Sequence, residues 1–210
     1  MKMLHALARR AAALVLILPL GACALANVAD GPAPRLFTLT AAHPAPASGA
    51  ATGAQIIVGE LSAPAVIDTA RIVQQASANE LKYYADARWA DRAPRLIQNL
   101  MVESLENSGR FASVTARDAD LRGNYELLGD IRQFAVDVSN ASAPAVRIEL
   151  YMRLVRDDER TILAAKSFSA TVPVVGSGIV PIVAAYDAGL RQTLGDIAIW
   201  ADESARAAAK

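Results

Sequence analysis

The chain has 210 residues, with 21 basic and 21 acidic side chains, so its formal net charge is zero. This balance leaves no basic footprint for nucleic acid and argues against a nucleic-acid partner. Hydrophobic residues make up 53% of the sequence, which at this length is enough for one globular domain. The chain has one Cys, which excludes an internal disulfide and a zinc site built from several cysteines.

Residues 1–22 have the layout of a secretory signal peptide. A positively charged start without acidic residues precedes an apolar stretch, 11–20, that is too short to span a membrane comfortably. The stretch ends in Leu20-Gly21-Ala22-Cys23, which resembles the lipobox of bacterial lipoproteins. That resemblance implies that Cys23 becomes the first mature residue and carries two or three acyl chains, enough for a stable anchor. The alternative is an ordinary secreted protein with an incidental Cys.

The mature chain is expected to face the periplasm from the outer membrane. In bacterial lipoproteins, which the lipobox resembles, a residue other than Asp after the lipidated Cys favours transfer to the outer membrane, and Ala24 occupies this position. Residues 23–34 are small and rich in Pro and Gly, which predicts a flexible tether. Without the signal the chain keeps 18 basic and 21 acidic residues, since three of the 21 basic residues leave, for a net charge of −3.

Residues able to carry catalysis are scarce in the mature chain. His43 is its one histidine and lies in a loop, 41–54, that is rich in Ala, Pro, Gly and Ser and has no core-forming pattern. A flexible loop holds a general base poorly. The G-x-S-x-G, P-loop and H-E-x-x-H motifs are missing from the sequence. We therefore predict no enzyme, no catalytic residue, no metal and no cofactor beyond the lipid on Cys23.

The expected elements alternate between short strands and two helices. Helical periodicity begins after Asp91, a plausible N-cap, with Pro94 in the first turn and a stop signal at Gly109. A second helix is expected to end near Trp200, with 202–210 as a fraying tail. Its predicted apolar stripe consists of Val183, Tyr186, Leu190, Leu194 and Ile197. Strands are expected at 35–40, 55–64, 67–75, 110–116, 125–138, 146–155 and 161–174. The order β-β-β-α-β-β-β-β-α predicts an α+β domain, 35–201, with two helices packed on a mostly antiparallel sheet.

The clearest strand and the turn after it define a face of this sheet. Hydrophobic residues alternate with polar ones along 146–155, as in a strand with one buried face. The buried set is Val146, Ile148, Leu150, Met152 and Leu154. The charged run 156–160 then predicts a solvated hairpin turn.

An aromatic block precedes the first helix. The segment 80–96, ELKYYADARWADRAPRL, holds three of the eleven aromatic residues, and 76–79 is expected to be a turn before it. Tyr83, Tyr84, Arg88 and Trp89 have two interpretations. They are either a structural staple, in which the rings pack a loop onto the helix and sheet and Arg88 pairs with a carboxylate or with carbonyls, or a contact with a partner or another subunit. Aromatic and Arg side chains are enriched at binding hot spots.

Several segments together resemble the ABC-type transport auxiliary lipoprotein family, over roughly residues 35–201. They include RLFTLT, the Tyr-x-x-x-x-Trp block leading into a helix that closes with Ser-Gly-Arg-Phe, YELLGDIRQF and VRIELYMRLV. The family includes the lipoprotein component of paraquat-inducible, MCE-type transport systems. The resemblance implies a non-enzymatic accessory subunit at the outer membrane that works with MCE-domain proteins and a transporter to move lipids between the two membranes.

Two other functions stay open from the sequence. A lipid carrier would hold a hydrophobic ligand in a pocket between sheet and helices. An envelope-structure lipoprotein would associate with the cell wall, although the sequence has no typical basic peptidoglycan-binding helix. A homo-oligomer of this chain is also possible, with the aromatic block as the contact between subunits.

Overall fold

The computed structural model of the protein describes residues 33–45, 51–117 and 123–209. The predicted signal peptide, Cys23 and most of the predicted tether lie outside these ranges. The described elements follow the order β-β-β-β-α-β-β-β-β-α. The strands are β1 (Arg35–Phe37), β2 (Gln55–Val58), β3 (Arg71–Ser77), β4 (Glu80–Trp89), β5 (Ser113–Ala116), β6 (Tyr125–Asp137), β7 (Ala145–Arg156) and β8 (Thr161–Pro173), and the helices are α1 (Ala93–Asn107) and α2 (Ile179–Ala208).

The eight strands of the described ranges form one mixed sheet that branches along β6. One edge of β6 pairs with β7 in antiparallel fashion, and β7 pairs likewise with β8. The other edge of β6 takes β2 in parallel at residues 125–127 and β3 in parallel at residues 136–137. β5 extends the β2 side, whereas β4 and then β1 extend the β3 side. We call residues 131–135 of β6, where β2 and β3 diverge, the fork.

The α+β class and the two helices are confirmed, but the expectation of a mostly antiparallel sheet is wrong. β1–β4, β2–β5, β2–β6 and β3–β6 are parallel pairs. Parallel neighbours need long crossover connections, and the segment between β2 and β5 supplies one because it includes α1. Hydrophobic alternation reports which face of a strand is buried and says nothing about the direction of its neighbours.

β4 is a strand that the sequence interpretation treated as a loop. Most of its residues from Glu80 to Asp86 are exposed or half-buried on both faces, and full burial begins only at Ala87. A strand with two solvated faces lacks the apolar alternation that predicts strands. The turn between β3 and β4 consists of residues 78–79, the second half of the predicted turn at 76–79, and the two strands form an antiparallel hairpin.

The first helix lies within the predicted limits but starts with a different cap. Arg92 occupies the N-cap position of α1, and Pro94 lies in the first turn as expected. Asp91 is one residue too early to cap: its carboxylate accepts a hydrogen bond from the Arg92 N–H and pairs with Arg95. Gly109 follows the last turn with a φ of +60°, which confirms the predicted stop, because glycine adopts this left-handed conformation without steric cost.

The second helix continues to Ala208, beyond the end expected near Trp200. Its last two turns are rich in alanine, the best helix former, and bury Ala201, Asp202 and Ala205. The Asp202 carboxylate pairs with the Arg110 guanidinium at 3.1 Å, and both side chains are nearly buried. The segment expected to fray is therefore part of the packed helix.

α2 packs tightly against the sheet. Along it, Tyr186, Leu190, Leu194 and Ile197 are buried, as the predicted stripe requires, while Val183 is half-buried. At Gly189 the helix comes so close to β7 and β8 that an added Cβ would lie 3.1 Å from Val172 and 3.2 Å from Ile148. We call the sheet face toward α2 the inner face and the opposite one the outer face.

The described parts of the loop after β1, residues 41–45 and 51–54, contribute to the core, although the sequence shows no core-forming pattern there. Ala41, Ala42 and Ala54 are buried. The Ser104 Oγ of α1 accepts a hydrogen bond from the Ala42 N–H at 2.8 Å, and Asn107 donates to the Ala42 carbonyl at 3.2 Å. Alanines pack where their backbone lies close to a helix, and composition alone does not reveal this.

Candidate partner-binding site

β4 divides the predicted aromatic block between the two faces of the sheet. Successive strand residues point to opposite faces, so Trp89 lies on the inner face and Arg88 on the outer face. Trp89 is only 1% exposed, whereas Arg88 is exposed. Tyr83 and Tyr84 are half-buried. The four residues therefore do not form one surface.

Trp89 belongs to an inner aromatic cluster with Phe134 of β6 and Tyr186 of α2. The ring centroids lie 5.7 Å apart for Trp89–Phe134, 5.1 Å for Trp89–Tyr186 and 4.8 Å for Phe134–Tyr186. Tilted and edge-to-face contacts at these distances stabilise aromatic pairs. All three rings are fully buried. The staple interpretation therefore describes Trp89, with β4 in place of the expected loop.

The inner aromatic cluster also connects β3 and β6 on the inner face at the fork. The Tyr186 hydroxyl donates a hydrogen bond to the Val73 carbonyl of β3 at 3.2 Å, while the Tyr186 ring packs on Phe134 of β6. Burial raises the pKa of Tyr186 well above its ordinary value, so its hydroxyl remains protonated and able to donate. One side chain of α2 thus links β3 to β6 at the fork.

Tyr83 lies on the outer face and fixes the loop before β3. Its hydroxyl donates to the Val66 carbonyl at 3.2 Å, and its ring lies opposite Val73 in the hairpin. The Arg71 guanidinium lies over the ring, 3.8 Å from its centroid, which is a cation–π contact. Tyr84 is next to an irregularity in the hairpin, and burial, followed by the charge of Asp86, raises its pKa.

Arg88 faces a second arginine. In the hairpin register Arg88 lies directly opposite Arg71, and in the parallel pair with β1 it lies beside Leu36. Residues opposite each other share a face of the sheet. Within the described ranges neither guanidinium has a carboxylate within 4 Å, so the carboxylate, one of the two kinds of partner expected for Arg88 in the staple interpretation, is not observed there.

These residues define an exposed surface on β1, β3 and β4 that we call the outer patch. Leu36 is 68% exposed and Leu81 is 48% exposed, so both side chains present apolar area to solvent. Leu81 lies on the same face because it is opposite Gln75, two residues from Val73. The outer patch consists of Leu36, Arg71, Leu81, Tyr83 and Arg88.

A groove runs beside the outer patch at the fork. It has a volume of about 380 Å³ and is lined by apolar side chains, among them Val66, Ile67, Val73 and Leu81. The hydrogen bond from Tyr83 holds one wall, since it fixes Val66. Arg132 lines the side of the groove formed by β6, where it pairs with Glu149 at 3.4 Å.

The charged run between β7 and β8 is a hairpin turn that is exposed at 158–160, as predicted, and two of its side chains also pair with groups on the sheet side. Glu126 on β6 is buried, and its carboxylate accepts hydrogen bonds from Arg117 at 2.5 Å and from Arg160 at 2.7 Å. Asp157 pairs with Arg117 at 3.4 Å. A buried carboxylate requires such partners. This cluster is structural and lies apart from the outer patch.

Sequence reasoning missed Leu36, Arg71 and Leu81 as members of the site. The sequence held a partial signal for this surface. The predicted turn at 76–79 would bring the residues around Tyr83 opposite those around Val73. The pairing of Arg71 with Arg88 depends on an irregularity in the ladder between Arg71 and Val73, which no sequence pattern shows.

The described residues offer two further negative findings. Within them no three or more His, Cys, Asp and Glu side chains come together as a metal site would need. None of the helices in these ranges has the length and hydrophobicity required to cross a membrane.

The structure defines the class of this protein as a single α+β domain with a branched mixed sheet and two helices on one face. Residues 37–198 match the model of the family described as "ABC-type transport auxiliary lipoprotein component". The chain belongs to this family, which confirms the resemblance stated from its motifs. Because the match ends ten residues before the end of α2, nearly the whole domain is covered.

Solved structures share this fold. A Xanthomonas campestris protein of the family named DUF330 is 24% identical, with a TM-score of 0.77, and the match covers 83% of this chain and 99% of that one. A second crystal structure, of an uncharacterized protein, is 15% identical with a TM-score of 0.62, covering 80% of this chain and 97% of the other. At these identities the likeness concerns the fold alone.

A curated relative extends beyond this chain. An uncharacterized protein of Bradyrhizobium diazoefficiens is 28% identical over 148 residues, which is 70% of this chain. The matched region is 39% of the length of that relative.

Proposed function

We propose that this protein is a docking subunit of an ABC or MCE-type system that moves lipids between the inner and outer membranes. The family match over residues 37–198 carries the proposal. In it, the lipid on Cys23 holds the chain at the periplasmic face of the outer membrane, and the folded domain binds an MCE-domain protein or an associated transporter component. No chemical step is assigned to the chain.

The geometry supports a binding role through the outer patch. Exposed leucines, a tyrosine and two arginines without carboxylate partners in the described ranges combine apolar area with charge. This is the composition found at binding hot spots. Of the predicted residues, Tyr83 and Arg88 lie on this surface, whereas Trp89 contributes by holding β4 in place and Tyr84 lies beside it.

The carrier alternative finds less support. Its pocket was expected between sheet and helices, but at Gly189 α2 lies so close to Ile148 and Val172 that no ligand fits between sheet and helix at that point. The groove at the fork is apolar and lies within the usual size range for ligand sites, so it is where a carried lipid would bind.

Affinity purification of the full lipoprotein from gently solubilised envelopes tests these functions. We expect an MCE-domain protein or a transporter component to co-purify in a stoichiometric amount, without lipid beyond the anchor on Cys23. Stoichiometric phospholipid without a protein partner would instead establish the carrier. Recovery of neither, from membranes shown to contain the system, would contradict both.

A Cys23→Ser variant tests the anchor separately. Without the thiol no diacylglycerol can be attached, so the protein should lose acyl labelling and fractionate away from the outer membrane. The domain itself should be unchanged in thermal unfolding, since Cys23 precedes it. Normal acyl labelling and outer-membrane density of the variant would show that the lipobox interpretation is wrong.

A further inference from the structure

We infer that the outer patch binds an extended acidic segment of a protein partner, whose carboxylates contact Arg71 and Arg88 and whose neighbouring apolar side chain enters the groove at the fork. The inference rests on the proposed docking function and adds to it the site and the chemistry of the partner.

The outer patch contains two arginines that face each other. Arg71 and Arg88 lie opposite each other on one face of the β3–β4 hairpin. Like charges at directly opposed positions destabilise a sheet. Within the described ranges no carboxylate lies within salt-bridge distance of either, although many other arginines there, such as Arg92 and Arg153, have one. An anion from another molecule would remove the repulsion.

The geometry of the pair suits carboxylates. The cation–π contact with Tyr83 holds the Arg71 guanidinium in place, so less side-chain entropy is lost when an anion binds. Guanidinium groups form two parallel hydrogen bonds with a carboxylate, a contact that gives both energy and orientation. Two arginines opposite each other can receive two carboxylates, or both oxygens of one.

The apolar part of the outer patch would contact an apolar side chain of the partner segment. Leu81 is 48% exposed at the edge of the groove, whose volume of about 380 Å³ is large enough for one large apolar side chain with neighbouring backbone. Leu36, on the other side of Arg88, is 68% exposed. A segment that crosses the hairpin from Leu36 to Leu81 would cover both leucines and both arginines.

Charge around the patch favours a protein segment over a lipid surface. Glu80 and Asp86 lie on the same strand as Arg88, and Asp91 lies just after it. If the outer patch met an anionic bilayer, these carboxylates would approach it together with the arginines and be repelled. The mature chain also has a net charge of −3. Attraction to an anionic membrane follows the summed charge near the surface, whereas a peptide can place its carboxylates at the two arginines alone.

Site-specific photo-crosslinking in native envelopes tests the inference with the full lipoprotein. A benzophenone amino acid replaces Leu81 at the edge of the groove, and the control replaces Ile162, which is 56% exposed on β8 and far from the patch in the sheet order. The test variant combines the Leu81 probe with R71E and R88E. A matched variant carries R95E and R191E, which reverse two exposed arginines on the helices whose i,i+4 pairs contribute little.

We expect a protease-sensitive protein adduct at position 81 whose crosslinked peptide contains carboxylates. Its yield should fall at least tenfold with R71E and R88E and stay unchanged with R95E and R191E. Replacing the carboxylates of the identified peptide by Lys should restore the yield in the R71E, R88E background. The Ile162 probe should not form this adduct.

The other outcomes overturn the inference in distinguishable ways. A phospholipid adduct would mean that the patch contacts lipid, and an adduct with a second copy of this chain would mean that it is a subunit contact. A protein adduct indifferent to R71E and R88E would exclude the arginine pairing. If a transporter component still co-purifies with R71E and R88E, docking stands and the site is wrong; if it never co-purifies with the unaltered protein, the docking function itself is wrong.

Discussion

Arg88 and Trp89 are consecutive residues of β4, yet they lie on opposite faces of the sheet in very different environments. On the inner face Trp89 is 1% exposed and contacts the rings of Phe134 and Tyr186. On the outer face Arg88 is exposed and lies opposite another arginine. Strand alternation therefore separates a stabilising side chain from a binding candidate within one peptide unit.

The residues of the aromatic block cluster in the sequence but do not cluster in space. The aromatic block is dense, yet its tryptophan stabilises the fork while its arginine and Tyr83 belong to the outer patch. The surface that emerges instead joins β1, β3 and β4, because register brings Leu36 and Arg71 next to Arg88. If this division is real, inner-face substitutions should reduce stability and outer-face substitutions should not.

Trp89→Ala should have the largest effect on stability. Removal of a buried tryptophan leaves a cavity among the aromatic rings, which typically costs about 3–5 kcal/mol of unfolding free energy. The measurement is urea denaturation of the domain without its lipid. Arg88→Ala is the matched control and should change the free energy by less than about 0.5 kcal/mol, as for exposed sites. Equal effects of the two variants would contradict the division.

Asp202→Asn tests the far end of α2, where the inner side holds a buried ion pair. The Asp202 carboxylate accepts hydrogen bonds from Arg110 at 3.1 Å and from Arg206 at 2.9 Å, and Arg110 is largely buried. Removal of one charge from a buried ion pair typically lowers the free energy of unfolding by about 3–5 kcal/mol. Because Arg206 is partly exposed to solvent, we expect a loss near the lower end of this range. The neighbouring, exposed Glu203→Gln should be nearly neutral in the same denaturation experiment.

Tyr186→Phe should have an intermediate effect that is local to the fork. It keeps the ring contacts with Trp89 and Phe134 and removes only the hydrogen bond to the Val73 carbonyl, a loss of about 1 kcal/mol. Amide hydrogen exchange should accelerate in β3 more than in β7. Tyr151→Phe, on the outer face, is the control, and uniform acceleration in both strands would argue against a role in closing the fork.

The sequence predicted strands and helices correctly where one face of the element is buried along its whole length. The alternation along β7 identified Val146, Ile148, Leu150, Met152 and Leu154, each of which is at most 1% exposed. The Gly109 stop was also correct, as was the helical periodicity of α1, whose periodic apolar residues are all buried, since helix periodicity and glycine conformation are local properties. These periodic residues are Leu96, Ile97, Leu100, Met101 and Leu105.

Other features depend on contacts between distant residues. β4 was missed because most of its length is solvated on both faces, and the last turns of α2 because Ala-rich sequence is equally typical of a fraying tail. The Arg71–Arg88 pair follows from a register shift that hydrogen bonding decides. Of the candidate site, sequence thus supplied Tyr83 and Arg88 but not their neighbours.

Asp137→Asn should have the smallest effect, and its pH dependence sharpens the contrast with Asp202. Asp137 lies near the end of β6, accepts hydrogen bonds from the Ser139 hydroxyl and N–H, and pairs with Arg147. The hydrogen bonds from Ser139, followed by the charge of Arg147, lower the pKa of Asp137 below its ordinary 3.8. A lowered folded-state pKa adds stability above the unfolded-state value, and that stability is lost as the pH falls through the folded-state value. The wild type should therefore melt slightly above Asp137→Asn at pH 7, and the difference should shrink as the pH falls below 3.8. A difference in melting temperature that stayed constant down to the acid limit would show that the asparagine acts through packing and not through charge.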